Sequence, residues 1–129
     1  MNIIGNGVDI IENKRIKNSL KIKGFINRVF TKEEINQSKK TNYKVNFFAK
    51  RFAAKEAFAK AIGSGIRNNV SFKDINVKNN KNGQPSISVS KNIEKFLRKT
   101  FKINKCKIYL SLSDEKKYSI AFVIINKIK

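Results

Sequence analysis

Two acidic residues stand where their neighbours disfavour them. Asp9 interrupts the apolar run of Val8, Ile10 and Ile11, and Asp is depleted in strands. Glu56 lies in a stretch rich in alanine and phenylalanine, four residues after Phe52 and four before Lys60, a spacing that stacks side chains along one side of a helix. A carboxylate among apolar neighbours needs a partner, because burying an unpaired charge is costly. Two readings are open for each. Asp9 either faces solvent from an edge strand or is presented to a cleft. Glu56 either pairs with Lys60 on a helix surface, worth about 0.3–0.5 kcal/mol, or points into a site. Taken together, two carboxylates with open coordination positions suit Mg²⁺, which keeps several waters and is held by one or two carboxylates plus substrate phosphates. Lys55 and Lys60 flank Glu56 and can meet phosphate oxygens. Gly63-Ser64-Gly65 gives backbone freedom for close approach to a ligand, although such a tripeptide after a helix is also a common cap.

Other chemistries are excluded by what the chain lacks. It has no histidine, which removes Ser-His-Asp and Cys-His machinery and His-ligated zinc. Its one cysteine, Cys106, rules out a disulfide within the chain and reads as a small core residue in a strand-like run. No Walker-type loop or dinucleotide fingerprint is present, so an ATP or NAD enzyme is not expected. The 129 residues carry a formal charge of +20, a field that attracts polyanions such as nucleic acid, phosphorylated cofactors or acidic proteins. Lysine, asparagine and isoleucine are abundant throughout, so the charge is a weak indicator of nucleic acid. No run is apolar enough to span a bilayer and no secretory signal is visible, which makes a reducing cytoplasmic setting and no membrane partner the expectation.

The elements that must position these residues follow from periodicity. Residues 46–65 read as one strong helix, with Asn46 as N-cap, Gly63 ending it, and Phe48, Phe52, Ala53, Ala57 and Ile62 turned to a core. Before it, Ile3 to Ile11 reads as a short strand loosened by Gly5 and Gly7. Residues 13–20 are a weak, basic helix, residues 21–28 have no clear period, and Thr31-Lys32-Glu33-Glu34 has the spacing of a capping box. After it, residues 74–78 and 86–89 alternate around Asn82-Gly83 as a hairpin. Ser90 caps a helix with Ile93, Phe96, Leu97 and Phe101 on its apolar face. Residues 108–113 alternate as a strand, and in the last strand Ala121 to Ile125 is continuously apolar, which predicts burial on both faces. The sum is a single α+β domain over 1–129, helices packed on a mainly antiparallel sheet.

Two segments then resemble a known family. Gly7-Val8-Asp9-Ile10 and Arg51-Phe52-Ala53-Ala54-Lys55-Glu56-Ala57-Phe58-Ala59-Lys60-Ala61-Ile62-Gly63 are similar to the two signatures of the small bacterial-type 4′-phosphopantetheinyl transferases, the holo-acyl-carrier-protein synthases. Phe72-Lys73-Asp74-Ile75, Asn82-Gly83-Gln84-Pro85 and Leu110-Ser111-Leu112-Ser113 extend the likeness over nearly the whole chain. The resemblance implies that Asp9 and Glu56 hold Mg²⁺ against the pyrophosphate of coenzyme A. It implies transfer of the phosphopantetheine arm to a serine of an acyl carrier protein for fatty acid synthesis, with release of adenosine 3′,5′-bisphosphate. Lys60, with Asp9 and Glu56, completes the expected catalytic set. Lys55, Arg51, Gly63, Ser64 and Gly65 are the expected coenzyme A contacts beside Lys60. A metal-held water or Glu56 takes the serine proton, and a homotrimer with clefts between subunits is implied in the same way. The family commonly has a histidine where this chain has Asp114.

The resemblance also implies an acidic carrier, which the basic stretch from Lys14 to Arg28 would complement: Arg15, Lys17, Lys21 and Arg28 supply charge, and Ile16 with Leu20 or Phe25 an apolar anchor. Two other classes compete. A small basic RNA-binding protein would need exposed aromatics along a basic groove, but most of the phenylalanines fall at core positions. A non-catalytic scaffold leaves Asp9 and Glu56 unexplained.

Overall fold

The computed structural model describes residues 2–67 and 69–128. Strand β1 (Ile3–Glu12) is followed by helices α1 (Asn13–Ser19), α2 (Phe25–Val29), α3 (Lys32–Ser38) and α4 (Lys44–Ala61). A short 3₁₀ turn (Phe72–Asp74) leads into the hairpin β2 (Ile75–Asn79) and β3 (Pro85–Val89), then α5 (Lys91–Phe101), β4 (Lys105–Asp114) and β5 (Tyr118–Ile128). The antiparallel sheet runs in the order β1-β5-β4, and β2-β3 forms a separate ribbon. Among the described residues no helix is long and apolar enough to cross a membrane.

Helix α4 is the centre of the core. It carries alanine, the best helix former, at six of its positions, and these small side chains let it sit directly on the sheet. Gly5 and Gly7 of β1 meet it from the other side. A Cβ built on Gly7 would lie 1.9 Å from the Ala57 carbonyl oxygen, and one on Gly5 would lie 1.9 Å from that of Ala61. The glycines therefore mark a place where helix and strand backbones touch, not a weak strand. Ten residues of α4 are buried, so the helix is enclosed on most sides and shows little of the one-sided pattern of a surface helix.

The caps predicted at Thr31 and Ser90 are present. The Thr31 hydroxyl accepts from the Glu34 N–H while Glu34 accepts from the Thr31 N–H, and the Ser90 hydroxyl accepts from the Ile93 N–H. The predicted start of α4 is corrected. It begins at Lys44, and Asn46 lies inside it, free to donate its amide to Asp114 at 2.7 Å. The segment without a clear period contains α2, whose five residues are too few to show one.

The last strand also differs from its predicted burial. Ser119, Ala121, Val123 and Ile125 are buried under the helices, but Phe122 is 42% exposed and Ile120 is exposed beside it. Sheet register places Val8 opposite Phe122 and Ile10 opposite Ile120. One face of the sheet thus packs on α4 and the other leaves Val8 (55% exposed), Ile10 (59%), Phe122 and Tyr109 open.

Candidate active site

β1 and α4 lie face to face, and this contact brings three of the predicted residues together. Along β1 alternate side chains change face, so Asp9 shares the α4 side with Gly7 and Ile11. From α4, Lys60 reaches back across the strand. Its ammonium donates to the Asp9 carboxylate and to the Val8 carbonyl, both at 3.0 Å. Glu56 stands one turn earlier on the same helix and is half-buried. Its carboxyl is pushed above the ordinary range, first by burial and then by the negative charge of Asp9, with Lys60 opposing. The electrostatic coupling of Glu56 to both neighbours makes the three a single constellation. Asp9 thus faces α4 and is held by Lys60, and Glu56 is not confined to a surface pair with Lys60.

The donor set suits a hard divalent cation. Two carboxylates are crowded enough to raise the proton affinity of one, and a cation between them relieves that cost. Among the described residues no cluster of three or more potential metal ligands exists. Such a two-carboxylate site leaves coordination positions for water and phosphate, the pattern favoured by Mg²⁺.

Lys55 is not part of this constellation. Its side chain and that of Glu34 are fully buried, with the ammonium 2.7 Å from Glu34. The other two N–H groups donate to the carbonyls of Val29 (2.9 Å) and Phe72 (3.0 Å). An ammonium has three donors, and all are engaged, so the expectation that Lys55 meets a cofactor phosphate is withdrawn. Burial pulls its pKa down and Glu34 opposes that shift. Glu34 also accepts from the backbone N–H groups of Thr31 and Val77. The capping-box pattern located Glu34 in the sequence, but nothing local announced this second set of partners.

Arg51 faces a different space, near the start of α4. It lines a cavity of about 440 Å³ with Tyr43, Asn46, Lys50, Asn79 and Asp114. Its guanidinium stacks 3.7 Å from the Phe47 ring centroid and makes a long bond to Asn79 at 3.4 Å. Its Nε is buried without a partner. Burial lowers its pKa to about 10, opposed by Glu34. A buried cation with an unused donor at a cavity wall suits an anionic group. Asp114 is held there by Lys50 (3.5 Å) and Asn46, so its charge is partly balanced.

The glycine-rich tripeptide is a helix cap. The N–H of Gly63 turns back to the Lys60 carbonyl, and those of Ser64 and Gly65 to the Ala59 carbonyl. Gly63 and Gly65 have φ of 78° and 63°, the left-handed region that ends helices. These N–H groups are therefore not free to cradle a phosphate. Gly63 and Ser64 instead wall a cavity of about 290 Å³ that also includes Arg67.

Of the basic N-terminal residues, Arg15, Lys21 and Arg28 are exposed. Phe25 is not available as an anchor. It is buried against Phe30 and Phe52, with ring centroids 6.1 and 6.4 Å away, and Ile16 is buried too. The exposed apolar side chain of this region is Ile22.

Comparison with known proteins places this geometry in context. A profile described as "ACPS: 4'-phosphopantetheinyl transferase superfamily" matches residues 5–123. The chain is 56% identical over 127 residues to the holo-[acyl-carrier-protein] synthase of Pelagibacter ubique, covering 98% of this chain and 99% of that one. Among solved structures, the holo-[acyl-carrier-protein] synthase of Neisseria meningitidis superposes with a TM-score of 0.85 at 40% identity, covering 97% of this chain and 99% of the other. The enzyme from Bacillus anthracis, solved in complex with CoA (3′,5′-ADP), gives a TM-score of 0.83 at 35% identity over 99% and 100% of the two chains.

Proposed function

The chain belongs to the 4′-phosphopantetheinyl transferase superfamily, and from that premise we propose how its cleft carries out the transfer. The reaction is movement of the 4′-phosphopantetheine arm of coenzyme A to a serine hydroxyl of an apo-acyl carrier protein. The serine oxygen forms a bond to the phosphorus that bears the arm. The bond from that phosphorus to the bridging oxygen breaks, and adenosine 3′,5′-bisphosphate leaves.

Asp9 and Glu56 are the residues that would hold Mg²⁺. When bound, it supplies charge neutralisation on the pyrophosphate. Lys60 already donates to Asp9 and is exposed enough to turn to a phosphate oxygen. The serine proton would pass to Glu56 or to a water beside it. Arg51, with its unused buried donor, and the wall formed by Gly63 and Ser64 are the proposed coenzyme A contacts away from the reacting bond. The observation that carries this reading is the joining of Asp9, Glu56 and Lys60 by one strand–helix contact.

The open sheet face supports self-assembly. Val8, Ile10, Ile120 and Phe122 form a continuous exposed apolar patch, and patches of this kind mark interfaces. We take the assembly to be a trimer, as the family resemblance implies, and sedimentation equilibrium reads its mass directly. A reducing, cytoplasmic setting fits a chain whose one cysteine is unpaired.

The decisive assay mixes the protein with coenzyme A, Mg²⁺ and an apo-acyl carrier protein, and reads the carrier by mass spectrometry. The carrier should gain the mass of the arm, and withholding Mg²⁺ should abolish the gain. An unchanged carrier would overturn the reading.

A further inference from the structure

The Lys55–Glu34 pair is the most elaborate polar feature of the interior, and the proposed transfer does not use it. Buried ion pairs are a poor route to stability. The desolvation cost rivals the attraction, and apolar replacements are often as stable. What such a pair supplies is geometry. The Lys55 ammonium donates to acceptors on three separate segments: Glu34 on α3, the Val29 carbonyl at the end of α2, and the Phe72 carbonyl in the 3₁₀ turn before β2. Glu34 adds the Val77 N–H in the middle of β2 and the Thr31 N–H at the start of α3. Four elements are thus tied to one point of α4, and that point is the residue next to Glu56. One of the tied ends is α2, whose exposed Arg28 closes the basic stretch expected to meet the carrier.

We infer that Lys55 is a positioning residue whose buried ion pair with Glu34 fixes the separation between the carrier-facing segment α2 and the Asp9–Glu56 cleft. The inference rests on the proposed reading of that cleft. An apolar side chain at position 55 would fill the same volume but would not fix where the end of α2 sits. Misplacing reactants by as little as 1 Å can cost roughly 100-fold in rate. The loss should therefore fall on the transfer step and not on binding of metal or coenzyme A.

The test variant is Lys55→Met with Glu34→Gln. It removes both charges of the pair, leaves Arg51 as the buried cation, and keeps one amide oxygen as acceptor for the Thr31 or the Val77 N–H. In a Cys106→Ser background, Asn27→Cys on the exposed side of α2 carries a nitroxide, and Mn²⁺ serves as the second spin. The inference expects a narrow Mn²⁺–nitroxide distance distribution in the parent and a broad one in the double variant. It also expects Mn²⁺ and coenzyme A affinities within about twofold of the parent, and single-turnover transfer at saturating carrier slowed roughly 10- to 100-fold. A distribution equally narrow in both proteins, or transfer at the parent rate, overturns the inference and leaves the reading of the cleft standing. Failure of the parent to bind Mn²⁺, or binding unaffected by Asp9→Asn, overturns the cleft reading and the inference with it. Should the double variant not fold, Glu34→Asp keeps both charges and shortens one arm of the pair. The same broadening is expected there on a smaller scale, and its absence counts against the inference in the same way.

Discussion

Two lysines of helix α4, Lys55 and Lys60, are each paired with a carboxylate, and the two pairs behave in opposite ways. Lys55 and Glu34 are fully buried, and every donor of the lysine is used. Lys60 is 54% exposed and holds Asp9, itself 16% exposed, by one edge. The first pair has no water to fall back on, so breaking it strands a charge. The second can exchange, because solvent or a phosphate can replace either partner. A lysine beside a carboxylate is thus locked in place or free to exchange partners according to burial alone, although the two occupy the same helix and the same motif.

The comparison is broken most sharply by removing one lysine at a time. Lys55→Met leaves the Glu34 carboxylate buried and unpaired, and should cost about 3–5 kcal/mol of stability. Lys60→Met should cost no more than about 1 kcal/mol. Urea unfolding at neutral pH reads both, and equal costs would mean that burial does not separate the pairs.

Activity should respond most to the two carboxylates beside the exposed lysine. Asp9→Asn and Glu56→Gln should each lower kcat/KM on the order of 10²-fold or more at limiting Mg²⁺ while the fold persists. Lys60→Ala should lower it roughly tenfold, well beyond the effect of Lys127→Ala. Near-parent turnover in either carboxylate variant would remove the cleft from the mechanism.

A smaller effect sharpens the picture at the periphery. Arg15→Glu should raise the KM for the carrier by roughly tenfold at low salt and leave that for coenzyme A nearly unchanged. Docking by exposed charge acts mainly on association and is screened over about 8 Å at physiological ionic strength. Added salt should narrow the gap between parent and variant. Equal changes in both constants would move the docking surface elsewhere.

The smallest effect is a pH dependence. Burial and Asp9 raise the Glu56 pKa in the folded protein, so folding favours its protonated form. The associated stability is fully present below the ordinary value of the unfolded chain and is lost as pH rises through the raised folded value. In metal-free protein, Glu56→Gln should remove that loss and melt slightly higher than the parent at neutral pH. Melting curves from pH 4 to 8 that run parallel for the two proteins would contradict the raised pKa.

The sequence revealed what depends on local pattern. The capping box at Thr31, the Ser90 cap, the hairpin around Asn82-Gly83 and the oddity of Asp9 and Glu56 all rest on a few adjacent residues, and all correspond to features of the fold. What escaped was decided by distant partners. Lys55 and Lys60 look alike from within α4, because Glu34 and Asp9 come to them from other elements. Phe25 looked like a surface anchor because α2 is too short to show a periodicity, and only Phe30 and Phe52 reveal that it is core. The apolar run of β5 was expected to be covered twice, but hydrophobicity does not distinguish a face covered by the chain's own helices from one left open.

Strand β1 holds both kinds of face at once, and this constrains how the protein can vary in length. Asp9 and the two glycines share one side, Val8 and Ile10 the other, and successive residues alternate. Inserting or deleting one residue between Gly7 and Asp9 would exchange the sides. The carboxylate would enter the apolar patch, and a branched side chain would strike the backbone of α4. Upstream, the register already slips between Ile3 and Gly5, where an extra residue can be absorbed before the alternation begins. Length changes at the start of the chain should therefore survive on the N-terminal side of Gly5 and be lethal to activity just beyond it.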